Sequence, residues 1–375
     1  MRKMTMRLHA ILCMGISLQL ALPLSLWAEP NTRRLEVEEV KAGVVLWVLA
    51  IGVSQYEDPR INLKYADNDA LRIAQVLQTQ QGVLFQEVRT RTLVNQQATR
   101  EEILKSMREF LGQAAPKDVV LIFVAGHGLQ DRQTGTYYFV PHNANAENLD
   151  YAGLPMPMFE EAVKRLRTQV DKLILWLDTC HAGAVTVASR GVNVGEDLAE
   201  ALEQASGQYV LSASKAGEES LEDASYRLEG EERAHGAFTF SLLRGLRGEK
   251  ADTNQVVWLS GLFSHVSKEV PRLTKGRQHP YNQIQGTDLP IFVRDKSILS
   301  QPLPALDLPP VAENVSPVSP ALAGASPGKG SRKWLWLLLG VAAAGGGVAV
   351  GLKPTAAKEE PPPPGGSVRV DFQVP

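Results

Sequence analysis

Between about residues 43 and 295 the sequence alternates short apolar runs with amphipathic stretches, and this alternation restricts the fold more than any other feature. Val44–Gly52 is apolar throughout, as expected of a strand that is buried on both faces of a sheet. Strands that alternate with helices predict an α/β domain with a mostly parallel sheet of about six strands, flanked by helices on both faces. The further strands are predicted at Val88–Leu93, Val119–Val124, Leu173–Leu177, Tyr209–Leu211 and Leu289–Val293.

The amphipathic stretches between these runs have the residue spacing of helices. The stretch Thr99–Gln113 has Thr99 at its N-cap position and Glu102 three residues later, which is the pattern of a capping box. The other helices are predicted at Asp69–Gln78, Phe159–Leu166, Asp197–Ala205, Phe238–Leu246 and Leu259–Val270.

The first 28 residues have the composition of a targeting segment. Arg2, Lys3 and Arg7 give it a positive start, Ala10–Leu26 is mostly apolar, and Ala28 is a plausible cleavage point. We predict a cleaved signal peptide at 1–28. The alternative is an uncleaved signal anchor, because the apolar run is long for a signal peptide.

A second apolar stretch, Trp334–Leu352, contains no charged residue and is close to the roughly 20 residues that a helix needs to cross a bilayer. We predict a transmembrane helix at 334–352, preceded by a Pro/Ala/Ser-rich linker at 296–333 and followed by a Pro-rich tail at 353–375. The domain at 43–295 is then expected to be membrane-anchored and exported to the periplasmic or extracellular side.

Charge and cysteine content exclude several classes of protein. The 375 residues include 39 Lys plus Arg and 41 Asp plus Glu, and a net charge of −2 gives no support to nucleic-acid binding. Cys13 and Cys180, the two cysteines, cannot supply a disulfide scaffold or a thiolate-rich zinc site. We predict no metal and no cofactor. Four histidines are predicted to be loop or surface residues, and they are His142, His235, His265 and His279.

Two predicted strands run directly into residues that can carry chemistry. Ala125–Gly128 contains His127 between two glycines, and Asp178–Gly183 contains Cys180. Functional residues gather beyond the carboxyl ends of strands in open α/β sheets, so the imidazole and the thiol could meet there. The chemistry would be acyl transfer by a thiolate, with the backbone N–H groups of Gly128 and Cys180 stabilising the oxyanion. The alternative is that Cys180 is a small buried hydrophobic residue.

These two motifs resemble the histidine and cysteine motifs of metacaspases, the caspase-like cysteine peptidases of the peptidase C14 type. His127 and Cys180 are 53 residues apart, close to the roughly 50 residues seen in caspases. The resemblance covers about 43–295 and implies a caspase-like fold. Other segments agree in order: Ala50–Val53, Leu63–Ala70, Tyr138–Pro141, Leu211–Ser214 and Gly236–Thr239.

The resemblance implies that His127 is the general acid and base and that Cys180 is the nucleophile. It also implies a pocket in which Asp69 and Asp178 bind an arginine or lysine at P1, the substrate residue before the scissile bond. The alternatives are a hydrogen-bonded strand-end carboxylate for Asp178 and an acid favoured by the helix dipole for Asp69. The sequence departs from the family pattern at two positions, where Ala66 and Ala125 stand in place of side chains that are often polar in the family.

The sequence therefore predicts a membrane-tethered cysteine endopeptidase that acts on proteins or peptides after basic residues. Arg190, in the segment after the cysteine motif, is a hypothetical site of self-cleavage. The alternative function is a non-catalytic caspase-fold interaction module at the membrane. A different acyl-transfer enzyme on the same fold is a third possibility, because fold does not determine the acceptor.

Overall fold

The computed structural model describes residues 33–34, 36–131, 133–181, 207–215, 218–249 and 251–294, with the backbone alone at Cys180 and His181. The predictions for 1–28, 296–333, 334–352 and 353–375 lie outside these residues, as do Arg190 and the predicted helix Asp197–Ala205. Within the described residues, no helix has both the length and the apolar character needed to span a membrane.

A sheet with one dominant direction forms the centre of the domain. Its strands follow the order β11-β7-β6-β3-β1-β2, all parallel to their neighbours except β11, which runs antiparallel to β7. The predicted α/β class, with about six mostly parallel strands, is confirmed. The strands of this order are β1 (Val45–Gly52), β2 (Glu87–Val94), β3 (Val119–Gln130), β6 (Lys172–His181), β7 (Gln208–Ser212) and β11 (Tyr281–Gln285).

The described residues also form several short strands. β4 (Tyr137–Phe139) pairs antiparallel with the end of β3, and β5 (Leu154–Pro155) pairs with β4. Two pairs lie off the main sheet, and they are β8 (Glu222–Asp223) with β9 (His235–Gly236) and β10 (Val256–Trp258) with β12 (Pro290–Val293). The predicted strand Leu289–Val293 is therefore found almost intact, but outside the main sheet.

Helices cover both faces of the sheet, as predicted. Thr99 caps its helix by accepting a hydrogen bond from the N–H of Glu102 at 3.3 Å. The helices are α1 (Ala66–Gln78), α2 (Arg100–Lys105, continued by Ser106–Phe110 and Leu111–Gln113), α3 (Leu149–Ala152), α4 (Met156–Arg167), α5 (Ala237–Arg244, continued by Gly245–Glu249) and α6 (Leu259–Leu273), with single turns at Pro59–Ile61 and Asn95–Gln97.

The alternation of side chains along β1 divides the core into two layers. Leu46, Val48 and Ala50 pack into the layer beneath α1, α5 and α6, whereas Trp47 and Leu49 pack into the layer beneath α2 and α4. Both layers exclude water, which explains why β1 is apolar at every position.

Close packing at the end of β1 fixes the start of α1. A Cβ atom on Gly52 would lie only 2.2 Å from the carbonyl oxygen of Ala66, the first residue of α1. Glycine is therefore required where β1 and the first turn of α1 touch. This contact sets the position of Asp69, one turn further along the helix.

The two motif-bearing strands are longer than predicted. β3 continues from Val124 to Gln130, and β6 continues from Leu177 to His181, so Ala125–Gly128 and Asp178–His181 lie inside paired strands rather than after them. The extension of β3 is bonded on one side to β6 and on the other to β4. Tertiary pairing thus extends the strands beyond their apolar runs.

Candidate active site

The β3–β6 register brings the two sequence motifs side by side. His127 pairs with Cys180, and Ala125 pairs with Asp178, in a parallel ladder. Adjacent strands are about 4.8 Å apart, so the backbones of the predicted base and the predicted nucleophile are direct neighbours. Gly128, one of the predicted oxyanion donors, pairs with His181 one step further along.

The ring of His127 is held in one tautomer. Its Nε2 lies 2.8 Å from the carbonyl oxygen of Ile61, which can only accept a hydrogen bond, so Nε2 carries the hydrogen. Nδ1 then holds a lone pair, and this buried atom has no hydrogen-bond partner among the described residues. Burial lowers the pKa of His127, while the Ile61 carbonyl opposes that shift. A neutral ring with an available Nδ1 is suited to accept a proton.

A tyrosine and a glycine support the histidine. The backbone N–H of His127 donates to the Tyr56 hydroxyl at 2.9 Å, and the two rings lie 5.2 Å apart. Gly126 has φ +152°, and a Cβ atom there would lie 3.0 Å from the Phe139 ring and 3.1 Å from the Tyr56 hydroxyl. Only glycine adopts this backbone conformation without strain, so the first glycine of the Gly-His-Gly motif has a steric cause. Neither Tyr56 nor Ile61 was identified from the sequence.

An acidic cavity of about 270 Å³ opens beside this motif. Both predicted pocket residues, Asp69 and Asp178, line it, as do the alanines that replace polar family residues, Ala66 and Ala125. The structure therefore brings the two aspartates together at one cavity, while their role in binding P1 stays a prediction. The remaining lining residues are Leu63, Gly126, Ser220, Glu222 and Gly236.

Asp178 is buried and fully hydrogen-bonded. One carboxylate oxygen accepts a hydrogen bond from the Ser220 hydroxyl, and the other accepts one from the Thr239 hydroxyl at 2.8 Å. Burial and the nearby charge of Asp69 raise the pKa of Asp178 to about 7, although the two hydroxyls oppose the shift. Asp178 is thus both a hydrogen-bonded carboxylate within β6 and a wall of the cavity.

Asp69 lies in the first turns of α1 and contacts the segment before α5. Its Oδ1 is 2.6 Å from His235 Nδ1, and its Oδ2 accepts the backbone N–H of Gly236 at 3.1 Å. Burial raises the pKa of Asp69, and the hydrogen bond from His235 opposes this. Asp69 therefore lies in the first turn of α1 and also forms part of the cavity wall.

The surface prediction was wrong for two histidines. His235 has no exposed surface and lies between the carboxylates of Asp69 and Glu231, while His265 is also buried, on α6. His142 and His279 are partly exposed. Burial alone would lower the pKa of His235, but the hydrogen bonds to Asp69 and Glu231 raise it to about 9. The one sequence signal was its position directly before the matched segment Gly236–Thr239.

Glu222 adds a third carboxylate to the cavity. It accepts backbone N–H bonds from Lys64 at 2.9 Å and Tyr65 at 3.0 Å, next to the start of α1. Burial raises the pKa of Glu222 to about 7, the Lys64 bond opposes this, and repulsion from Asp69 and Asp178 adds to it. β8 is only two residues long and has no hydrophobic pattern, so the sequence did not reveal this residue. Within the described residues, no group of three or more His, Cys, Asp or Glu side chains is arranged to hold a metal ion.

Comparison with known proteins gives a family match. Residues 46–289, more than half of the chain, match the family model of the peptidase C14 caspase domain. A solved structure of a protein from Geobacter sulfurreducens is similar, with 16% sequence identity and a TM-score of 0.45, over 64% of this chain and 94% of that chain. No curated protein matches the chain.

Proposed function

The chain belongs to the caspase-domain family, peptidase C14, and from this premise we propose that it is a cysteine endopeptidase that cleaves after arginine or lysine. The observation that carries the proposal is the His127 imidazole, whose Nδ1 is available while Nε2 is bonded to the Ile61 carbonyl. This histidine pairs in register with Cys180 on the neighbouring strand. A non-catalytic module has no need of an imidazole with an available lone pair on the residue that pairs with a cysteine.

The reaction proceeds in two steps. His127 Nδ1 accepts the Cys180 thiol proton, and the thiolate attacks the carbonyl carbon of the scissile bond. The backbone N–H groups of Gly128 and Cys180 stabilise the negative oxygen, and Nδ1–H then protonates the leaving amine, which leaves a thioester. In the second step His127 accepts a proton from water, the hydroxide attacks the thioester, and the proton returns to the thiolate. The Ile61 carbonyl stabilises the imidazolium that forms in both steps.

The acidic cavity is the proposed site for the P1 side chain. Its lining includes three carboxylates, which complement a guanidinium or ammonium group, and they belong to Asp69, Asp178 and Glu222. An aspartate at P1 would place a fourth carboxylate among these three and would be repelled.

We extend the proposal to a tethered and exported enzyme, because residues 1–28 resemble a signal peptide and 334–352 resemble a membrane helix. The Arg190 segment is proposed as a site of self-cleavage, which a specificity for basic residues would permit. Mass spectrometry of an active preparation tests this point. An active preparation in which no chain is cleaved after Arg190 would contradict that part of the proposal.

The deciding experiment offers the purified full chain three fluorogenic peptides with Arg, Lys or Asp at P1. The Cys180→Ala variant is the control for catalysis. We expect turnover of the Arg and Lys peptides by the wild-type chain and none by Cys180→Ala. Equal turnover by both chains would exclude Cys180 as the nucleophile. No turnover by either would favour the interaction module, and turnover of the Asp peptide alone would contradict the acidic pocket.

A further inference from the structure

A charged segment lies across the first two turns of α1. We call residues 231–236 the charged strap, because three of its side chains form ion pairs with α1. Arg233 binds Asp67 at 2.8 Å, His235 binds Asp69 at 2.6 Å, and Glu231 binds Arg72 at 3.2 Å, all of them largely or wholly shielded from water. The three partners on α1 are Asp67, Asp69 and Arg72. Of these three, only Asp69 lines the acidic cavity.

His235 is the fully buried side chain of the strap, and both of its ring nitrogens face carboxylates. Nδ1 is 2.6 Å from Asp69, and Nε2 is 2.6 Å from Glu231. An ionised carboxylate can only accept, so with both carboxylates ionised both nitrogens donate and the ring is an imidazolium, in agreement with the raised pKa of His235. The Asn68 amide is also near, at 3.3 Å from Nδ1, but it donates to the carbonyl of Ala234 at 2.9 Å.

The strap controls both oxygens of Asp69. His235 holds Oδ1, and the N–H of the next residue, Gly236, holds Oδ2 at 3.1 Å. A Cβ atom on Gly236 would be 3.3 Å from Asp69 Oδ2 and 3.2 Å from Asp178 Oδ2, so Gly236 lies between the two carboxylates at the cavity wall. The imidazolium charge also offsets the burial and repulsion that favour a protonated Asp69.

We propose that His235 is a positioning residue for the basic-P1 pocket, whose imidazolium, fixed by Glu231, keeps the Asp69 carboxylate ionised and aimed at the substrate cation. This inference rests on the proposed peptidase function and on the pocket assignment. His235 itself touches no substrate, because Asp69 and the strap lie between its ring and the cavity. Loss of its charge is therefore expected to weaken binding of a cationic P1 side chain and to spare the chemistry at Cys180.

A purely structural ion pair is the competing explanation, and the strap offers a matched control for it. Arg233→Gln breaks the Arg233–Asp67 pair in the same strap, but Asp67 does not line the cavity. His235→Asn removes the charge and keeps an N–H donor near Asp69. A structural role predicts similar effects of both variants, whereas a positioning role predicts an effect on P1 recognition for His235→Asn alone.

The kinetic test uses the full chain and two peptides that differ at P1, arginine or its neutral analogue citrulline. For His235→Asn we expect at least a tenfold rise in KM for the arginine peptide, a change in kcat of less than threefold, and an unchanged KM for the citrulline peptide. The rate at which iodoacetamide alkylates Cys180 should not change. Arg233→Gln should keep the wild-type ratio of arginine to citrulline kcat/KM. An equal loss on both peptides, or the same loss in Arg233→Gln, would overturn the proposal.

A binding measurement separates failure of this inference from failure of the proposed function. Calorimetry with Nα-acetyl-arginine amide uses Cys180→Ala and Cys180→Ala with His235→Asn, so no turnover is needed. Binding that weakens at least tenfold supports the role of His235 even if no peptide is ever cleaved. Unchanged binding, or no binding to Cys180→Ala itself, overturns it. If His235→Asn does not fold, Glu231→Gln takes its place, with an expected weakening of twofold or more and the same overturning outcomes.

Discussion

Three carboxylates share one small cavity, and this fixes how substrate affinity should respond to pH. The pKa values of Asp178 and Glu222 are both raised to about 7, so each gains its negative charge as pH rises through neutrality. A cationic P1 side chain binds the ionised forms. KM for an arginine peptide should therefore fall as pH rises from 5.5 to 8, by up to about tenfold per pH unit for each proton released.

The citrulline peptide is the control for this pH profile, because its P1 side chain carries no charge. Its KM should vary far less over the same range, while kcat of the two peptides should change with pH in the same way, because they share the chemical step. A KM for arginine that stays constant from pH 5.5 to 8 would contradict the assignment of Asp178 and Glu222 to the P1 site.

The same raised pKa implies that Asp178 costs stability at alkaline pH. Its pKa in the folded chain is about 7, above the ordinary value of 3.8, so the folded state retains a proton that the unfolded state has released between about pH 4 and 7. Stability falls as pH rises through that window, and the cost is complete above pH 7. Asp178→Asn should thus raise the free energy of unfolding at pH 8 by about 1–3 kcal/mol.

Denaturant unfolding of both chains at pH 5 and pH 8 measures this effect. The gain from Asp178→Asn should be much smaller at pH 5, where the wild-type carboxyl is already protonated, and cleavage after arginine should be lost at both values. A variant that is less stable than the wild type at pH 8 would show that the ionised carboxylate is well compensated by Ser220 and Thr239.

At the scale of elements, β3 contains one position, Gly126, where substitution should be costly. Gly126 has φ +152° and no room for a Cβ atom between Phe139 and Tyr56. Gly126→Ala should lower the free energy of unfolding by about 1–3 kcal/mol and reduce kcat more than tenfold, because His127 must shift with the backbone. Gly112→Ala is the matched control, since its Cβ would meet nothing within 4 Å. Equal kcat in the two variants would contradict the prediction.

The elements that the sequence predicted are those whose signal is local. β1, β3, β6 and β7 follow apolar runs, and Thr99 caps α2 where the capping pattern predicted a helix start. β11 was missed because Tyr281–Gln285 is mostly polar and becomes a strand only by pairing with β7. The strand ends of β3 and β6 were missed for the same reason, because they are set by neighbours.

The candidate site divides along the same line. His127 and Cys180 could be predicted from motifs at strand ends, whereas Asp69 and Asp178 came from the family resemblance alone. Glu222 and His235 could not be predicted, because they contact residues in or just before the first turn of α1 that lie 157 to 166 positions earlier in the sequence. Such contacts leave no periodicity in the sequence.

At the scale of the whole molecule, the proposed tether makes a direct prediction. A chain that ends at residue 330 lacks 334–352 and should move from the membrane fraction to the soluble fraction, because about 20 apolar residues are what anchors a helix in a bilayer. Its kcat/KM on the arginine peptide should stay within twofold of the full chain. Fractionation with immunoblotting tests this, and equal membrane retention of both chains would remove 334–352 as the anchor.

The bond from His127 to the carbonyl of Ile61 has a consequence for genetics. Every amino acid supplies a backbone carbonyl, so no codon change at position 61 deletes the group that fixes the tautomer. In a mutational scan, substitutions at position 61 should affect activity only through the packing of the new side chain. Apolar replacements there should therefore be tolerated. In the proposed mechanism, one group that orients the catalytic histidine is therefore set by the path of the backbone and not by the identity of any side chain.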